Sequence, residues 1–118
     1  MRILIADDDL QVRGALRLLI EQQFETAVVD EISSAGQLLE TSLTSNPDVI
    51  LLDWELPGSD RHKLLQEIRC RWPGAVVIAM SALPESKREA MVWGATAFIS
   101  KNDPPAAFIP LLRPIAAA

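Results

Sequence analysis

Short apolar runs alternate with stretches of helical periodicity along this chain. Residues 3–6, Ile-Leu-Ile-Ala, form a continuous apolar run, the mark of a strand buried on both faces. Val12, Ala15, Leu16, Leu19 and Ile20 then recur at helical spacing. Gly14 interrupts that helix and weakens it by about 1 kcal/mol relative to Ala. Residues 26–32 are rich in β-branched side chains and predict a second strand. Ser33 or Ser34 caps a second helix with Leu38, Leu39 and Leu43 on its inner face, and Asn46-Pro47 stops it. Residues 49–52 predict a third strand that ends at Asp53. Pro57-Gly58 marks a turn, and Asp60 caps a helix carrying Leu64, Leu65 and Ile68, closed by Trp72-Pro73-Gly74. Residues 75–80 predict a fourth strand, residues 84–93 a fourth helix stopped by Gly94, and residues 96–99 a fifth strand. A last helix should begin near Asp103-Pro104, where proline is tolerated. Pro110 and Pro114 fall inside it. Each removes a backbone hydrogen bond and crowds the carbonyl four residues earlier, so this helix is expected to be kinked or short.

Five βα units in succession imply an α/β fold, a doubly wound parallel sheet with helices on both faces, joined by right-handed crossovers. The length of 118 residues fits one domain, 1–118. Apolar residues at 49% and charged residues at 23% are a globular balance. There is no internal repeat or low-complexity stretch. The apolar runs fall far short of the roughly 20 residues of a membrane span, and the N-terminus lacks the long apolar core of a signal peptide. The single cysteine, Cys70, rules out an internal disulfide and fits a reducing, cytoplasmic setting. A net charge of −5 disfavours nucleic-acid binding by this domain, which needs clustered Lys and Arg.

Ligands of open α/β sheets bind beyond the carboxyl ends of the strands. The polar residues found there are Asp7, Asp8 and Asp9 after the first strand, Asp53 after the third, Ser81 after the fourth and Lys101 after the fifth. Asp30 and Glu31, at the end of the second, read as solvated. Carboxylates that converge repel one another, and a bound divalent cation relieves this. Mg²⁺ (or Mn²⁺) suits an all-oxygen site that also takes phosphate. The chemistry expected is a carboxylate nucleophile forming an aspartyl phosphate. Asp53 attacks, Asp7 and Asp8 hold the metal, Lys101 pairs with a phosphoryl oxygen as a point charge, and Ser81 donates a hydrogen bond to another.

Four motifs in order carry a family resemblance: Ile3-Leu4-Ile5-Ala6-Asp7-Asp8-Asp9, the segment Pro47-Asp48-Val49-Ile50-Leu51-Leu52-Asp53 followed by Leu56-Pro57-Gly58, then Ile78-Ala79-Met80-Ser81-Ala82, and Gly94-Ala95-Thr96-Ala97-Phe98-Ile99-Ser100-Lys101. Over nearly its whole length the chain resembles receiver domains of two-component systems. The resemblance implies a flavodoxin-like sheet of order 2-1-3-4-5. It implies Asp53 as phosphoacceptor, with Asp7, Asp8, Asp53 and the backbone carbonyl of Glu55 as metal ligands. Ser81, Ala82 and Lys101 would bind the phosphoryl group, with Ser81 and Phe98 as switch residues. The implied partner is a sensor histidine kinase or phosphotransfer protein, with room for a homodimer. The implied output face is the fourth helix, fifth strand and fifth helix. The implied role is a switch and not an enzyme with external turnover. Glu55, two residues after Asp53, is placed to influence phosphoryl lifetime or is simply solvated; Leu83 holds the matching place after Ser81.

Some residues depart from the family pattern. Arg61 and His62 replace a usual Gly and an apolar residue, and Trp93 a small one. Trp93 could pack under the fifth helix or stand exposed. Asn102 follows Lys101 where Pro is frequent, a feature shared with NarL/LuxR-type regulators. Competing readings are a receiver-like binding module that works without phosphate and a phosphatase of the haloacid-dehalogenase class, hinted at by Asp53-Trp54-Glu55. A flavin carrier is disfavoured, because its first loop should donate hydrogen bonds to phosphate and here it holds three aspartates.

Overall fold

The computed structural model describes residues 1–40, 46–58 and 60–117. In chain order the elements are β1 (Arg2–Ala6), α1 (Leu10–Gln23), β2 (Val28–Ile32), α2 (Ala35–Glu40), β3 (Val49–Asp53), α3 (Arg61–Arg71), β4 (Val76–Ser81), α4 (Ser86–Val92), β5 (Ala97–Ser100) and α5 (Ile109–Ala116), the last preceded by a 3₁₀ turn at Pro105–Phe108. All strand pairs are parallel, and the order is β2-β1-β3-β4-β5. The expected flavodoxin-like sheet is therefore present.

Side chains alternate across a strand, and the two sets build two cores. Leu4, Ile50, Leu52, Val77 and Ala79 pack with Leu38, Leu64, Leu65 and Ile68 under α2 and α3. Ile3, Ile5, Leu51, Ile78 and Met80 pack with Leu16 and Ile20 of α1 and with Phe108 and Leu112 near the C-terminus. With both faces covered, all five residues of β3 are buried, which is why these strands read as unbroken apolar runs.

Local chemistry sets the helix ends. Asp9 accepts from the amides of Gln11 and Val12, and Asp60 from those of His62 and Lys63. Those two amides hold the Asp60 carboxyl below its usual value. Of the two serines offered as caps for α2, Ser34 does it, accepting from Gln37 N at 3.2 Å. Gly94 closes α4 with φ +106°, the left-handed conformation glycine reaches without strain.

Several expectations need correction. β2 begins at Val28, because Ala27 N bonds Phe24 O in a turn that consumes Thr26. β4 and β5 each begin and end one residue later than predicted, and α4 begins two residues later, at Ser86. Ala15 is exposed rather than on the inner face of α1. Leu43 lies outside the described residues. The last helix is short, as expected, but Pro110 does not disturb it. The chain completes a 3₁₀ turn first, so Pro110 falls in the first turn of α5, while Pro114 sits inside. Of the two placements offered for Trp93, the exposed one holds: the residue is 37% exposed and its ring lies against α3 rather than under α5, the centroid 4.9 Å from His62 and 5.9 Å from Trp54. Among the described residues no helix is long and apolar enough to cross a membrane.

Candidate functional site

Parallel strands deliver their C-terminal residues to one rim. Asp7 follows β1, Asp53 ends β3, Ser81 ends β4 and Lys101 follows β5. Pairing fixes their relative heights: Ala6 lies beside Leu52, Asp53 beside Met80, and Ser81 beside Ser100. One carboxylate oxygen from each of Asp7, Asp8 and Asp53 lies within 4.8 Å of the others. Asp7 and Asp53 are buried, at 0% and 3% exposure, while Asp8 opens to solvent. Lys101 Nζ stands between the buried pair, 2.7 Å from Asp7 Oδ2 and 3.2 Å from Asp53 Oδ2.

Backbone amides aim the two buried carboxylates. Asp7 Oδ1 accepts from Asp9 N at 2.8 Å, and Asp53 Oδ1 from Glu55 N at 3.0 Å. Burial pushes Asp53 up from 3.8 to about 6; the Glu55 amide opposes this, Asp7 adds to it, and Lys101 opposes it. Burial alone would lower Lys101. The hydrogen bond to Asp7 and the attraction of both carboxylates outweigh burial, so its pKa rises above 10.5 and the side chain stays cationic.

A cation fits this donor set. Asp7 Oδ2 is buried and, apart from its ion pair with Lys101, accepts no well-aligned hydrogen bond. Lys101 alone leaves the three carboxylates with excess negative charge. Hard oxygen donors at this spacing suit Mg²⁺ or Mn²⁺.

The hydroxyl of Ser81 is engaged by neighbours on the rim. It donates to Glu55 Oε1 and accepts from Leu83 N at 3.0 Å. Glu55 is thus exposed but not idle. Ala82 is exposed, and its carbonyl accepts from Asn102 Nδ2 at 3.2 Å. Asn102 thereby ties the loop after β5 to the loop after β4, at the position where the resemblance expects proline. Phe98 is partly buried and packs on the α2–α3 core. Trp54, next to the central aspartate, is buried and donates Nε1 to Glu89 Oε1 on α4 at 2.9 Å. A cavity of about 260 Å³ opens behind Lys101, floored by Leu16, Met80, Ile99 and Phe108.

One reading of strand β2 is overturned. Asp30 and Glu31 are not simply solvated: Asp30 pairs with Arg2 at 3.2 Å, and Glu31 binds Arg13 at 3.1 Å and Arg17 at 2.6 Å. Arg13 also donates to the Asp7 carbonyl. Sequence reasoning passes over Arg13 and Glu89, whose side-chain partners Glu31 and Trp54 lie on other elements, and marks Asn102 only as a departure from the family pattern. The one available signal is that Arg13 closes the first turn after the cap Asp9.

A five-stranded parallel α/β domain with buried aspartates and a lysine at its carboxyl rim is a doubly wound fold with an acidic pocket where such folds bind ligands. Residues 3–112 match the response regulator receiver domain family, and the chain belongs to that family. It is 30% identical over 112 residues to the transcriptional regulatory protein RstA of Escherichia coli, covering 94% of this chain and 46% of RstA. It is 36% identical over 103 residues to a protein-glutamate methylesterase/protein-glutamine glutaminase of Cereibacter sphaeroides, covering 85% of this chain and 28% of that protein. The structure of a LuxR-family two-component response regulator from Aurantimonas superposes with a TM-score of 0.83 at 28% identity, over 98% of this chain and 84% of the other. The chain thus spans less than half the length of either curated relative.

Proposed function

We propose that this chain is the phospho-accepting switch of a two-component system, with Asp53 as the phosphoacceptor. The observation that carries the reading is Lys101 Nζ, within 3.2 Å or less of both Asp7 and Asp53, in a pocket where three carboxylates also offer a cation site. An Asp53 carboxylate oxygen attacks phosphorus of a phosphohistidine on a sensor kinase or phosphotransfer protein. The P–N bond breaks, its electron pair stays on the imidazole, and Asp53 becomes an acyl phosphate. The metal, when bound by Asp7, Asp8, Asp53 and the Glu55 carbonyl, supplies neutralisation of charge on the phosphoryl oxygens. Lys101 pairs with one of those oxygens as a fixed point charge. Ser81 leaves Glu55 to donate to another, next to the exposed backbone of Ala82.

That exchange is the switch. Moving Ser81 frees Leu83 N and Glu55, and Phe98, only partly buried, is the switch side chain that responds. Ligation of phosphate then biases two arrangements of the same loop. This segment supplies the switch, in the cytoplasm, and is not itself an enzyme with external substrates. Output belongs to whatever the α4–β5–α5 face contacts.

Treatment with acetyl phosphate and Mg²⁺, read by intact mass, tests this. A single phosphoryl gain that Asp53→Asn abolishes is expected. No gain in the native chain, together with partner binding unchanged in Asp53→Ala, would replace this reading with a phosphate-independent interaction module.

A further inference from the structure

A guanidinium that takes no direct part in the phosphoryl chemistry grips the acidic loop from outside. Arg13, in α1, sends Nη1 to the carbonyl oxygen of Asp7 at 2.6 Å and Nε to Glu31 Oε1 at 3.1 Å. The other oxygen of Glu31 accepts from Arg17 Nε at 2.6 Å, and Arg17 Nη2 reaches Val29 O at 2.7 Å. Arg13 is well sequestered, its side chain 14% exposed. We propose that Arg13 is a positioning residue for the metal site: by holding the Asp7 carbonyl it fixes the peptide plane shared by Asp7 and Asp8, and so the direction of both carboxylates. This inference rests on the phospho-accepting reading.

Three features support it. Successive aspartates repel one another and favour splayed side chains, so the loop needs restraint. Asp7 Oδ1 is held by Asp9 N on one side, and Arg13 supplies the second grip on the same residue, at its carbonyl. The fork of a guanidinium reaches a carboxylate and a carbonyl together, whereas a lysine carries a single nitrogen. Arg13 also places a positive charge one peptide from Asp8, where it offsets the mutual repulsion without occupying the pocket. Groups that orient metal ligands from behind typically change metal affinity about 10- to 100-fold when removed.

The rival explanation is that Arg13 merely ties α1 to β2. Arg17 makes that tie through the same Glu31 and does not touch the acidic loop, so it serves as the control. Mg²⁺ is titrated into the full chain by calorimetry, with tryptophan fluorescence alongside, for the native protein, Arg13→Gln, Arg13→Lys, Glu31→Gln and Arg17→Gln. Urea unfolding accompanies each. Both Arg13 variants should bind Mg²⁺ about tenfold or more weakly, Glu31→Gln should fall between, and Arg17→Gln should bind like the native chain. In metal-free protein, hydrogen exchange at the Asp9 amide should quicken in the Arg13 variants only. Native Mg²⁺ affinity in Arg13→Gln overturns the inference, as does equal weakening in Arg17→Gln. If Arg13→Gln does not fold, Arg13→Lys and Glu31→Gln take its place, and native affinity in both overturns the inference. Failure of the native chain itself to bind Mg²⁺ or take a phosphoryl group is a different result, which removes the phospho-accepting reading first.

Discussion

At Asp53 burial and function pull in opposite directions. A carboxylate buried to 3% exposure is disfavoured in its charged form, yet the charged form is the one that the proposed phosphoryl transfer requires. Its pKa of about 6 in the folded state lies above the ordinary 3.8. Between those values the folded chain keeps a proton that the unfolded chain releases. This group's contribution to stability is therefore full below about pH 4 and is lost as pH rises through about 6, amounting to roughly 1–3 kcal/mol. In chelator, Asp53→Asn should gain on the native protein by that amount between about pH 4 and about pH 8 in urea unfolding; a gap that stays constant across this range would refute the assignment. Lys101 shows the complementary case, a cation kept charged by its two acidic neighbours. Lys101→Met should cut acetyl-phosphate labelling about a hundredfold, on the scale of a lost electrostatic stabiliser. Mg²⁺ binding should persist, because a competing positive charge has gone. Loss of both activities together would make Lys101 a structural residue instead.

The elements translate these residues into positions, and here the sequence is unevenly legible. Strands β1, β3 and β4, buried on both faces, announce themselves as apolar runs, so Asp7, Asp53 and Ser81 can be placed at the rim from the sequence alone. Lys101 is placed by its position after β5. The misses involve side chains that act across elements. Nothing local to Glu31 reveals that Arg13 and Arg17 fold back onto it, and nothing local to Trp93 reveals whether it turns to α3 or α5. The prolines show how one residue's meaning depends on where a helix begins. Pro110 falls in the first turn, so Pro110→Ala should leave the melting temperature nearly unchanged. Pro114 lies inside α5, and Pro114→Ala should stabilise by about 1 kcal/mol, the restored backbone bond outweighing the extra freedom of the unfolded chain. Equal effects at the two sites would mean that the 3₁₀ turn does not set the start of the helix. Trp54 is buried and its indole N–H depends on Glu89, so Glu89→Ala should cost about 1–2 kcal/mol by orphaning a buried donor, and Glu89→Gln much less. The Arg61–Glu89 ion pair at 3.5 Å is too exposed to account for a cost of that size.

Across the whole molecule, the stability of the packed sheet and the repulsion of gathered charge are set against each other at one edge of the sheet. Two cores, one on each face, hold the strands, while the carboxyl rim gathers three carboxylates around one lysine. A ligand that binds only the folded chain stabilises it in proportion to the logarithm of its concentration over the dissociation constant, about 2.7 kcal/mol at a hundredfold excess. For a chain of this size each kcal/mol moves the melting temperature by roughly 3–6 °C. Saturating Mg²⁺ should therefore raise the melting temperature by about 8–16 °C, and a chelator should reverse the shift. Ca²⁺ tolerates irregular oxygen sets at longer distances, so it should give a smaller shift in a pocket where Lys101 already fills one side. Asp8→Asn should abolish most of the Mg²⁺ shift while leaving the metal-free melting point close to native, because Asp8 is exposed and the cores do not depend on it. Thermal melts with and without Mg²⁺ decide the matter: an unchanged shift in Asp8→Asn would mean that the cation sits elsewhere, and that the gathering of carboxylates at this rim serves some purpose other than holding a metal.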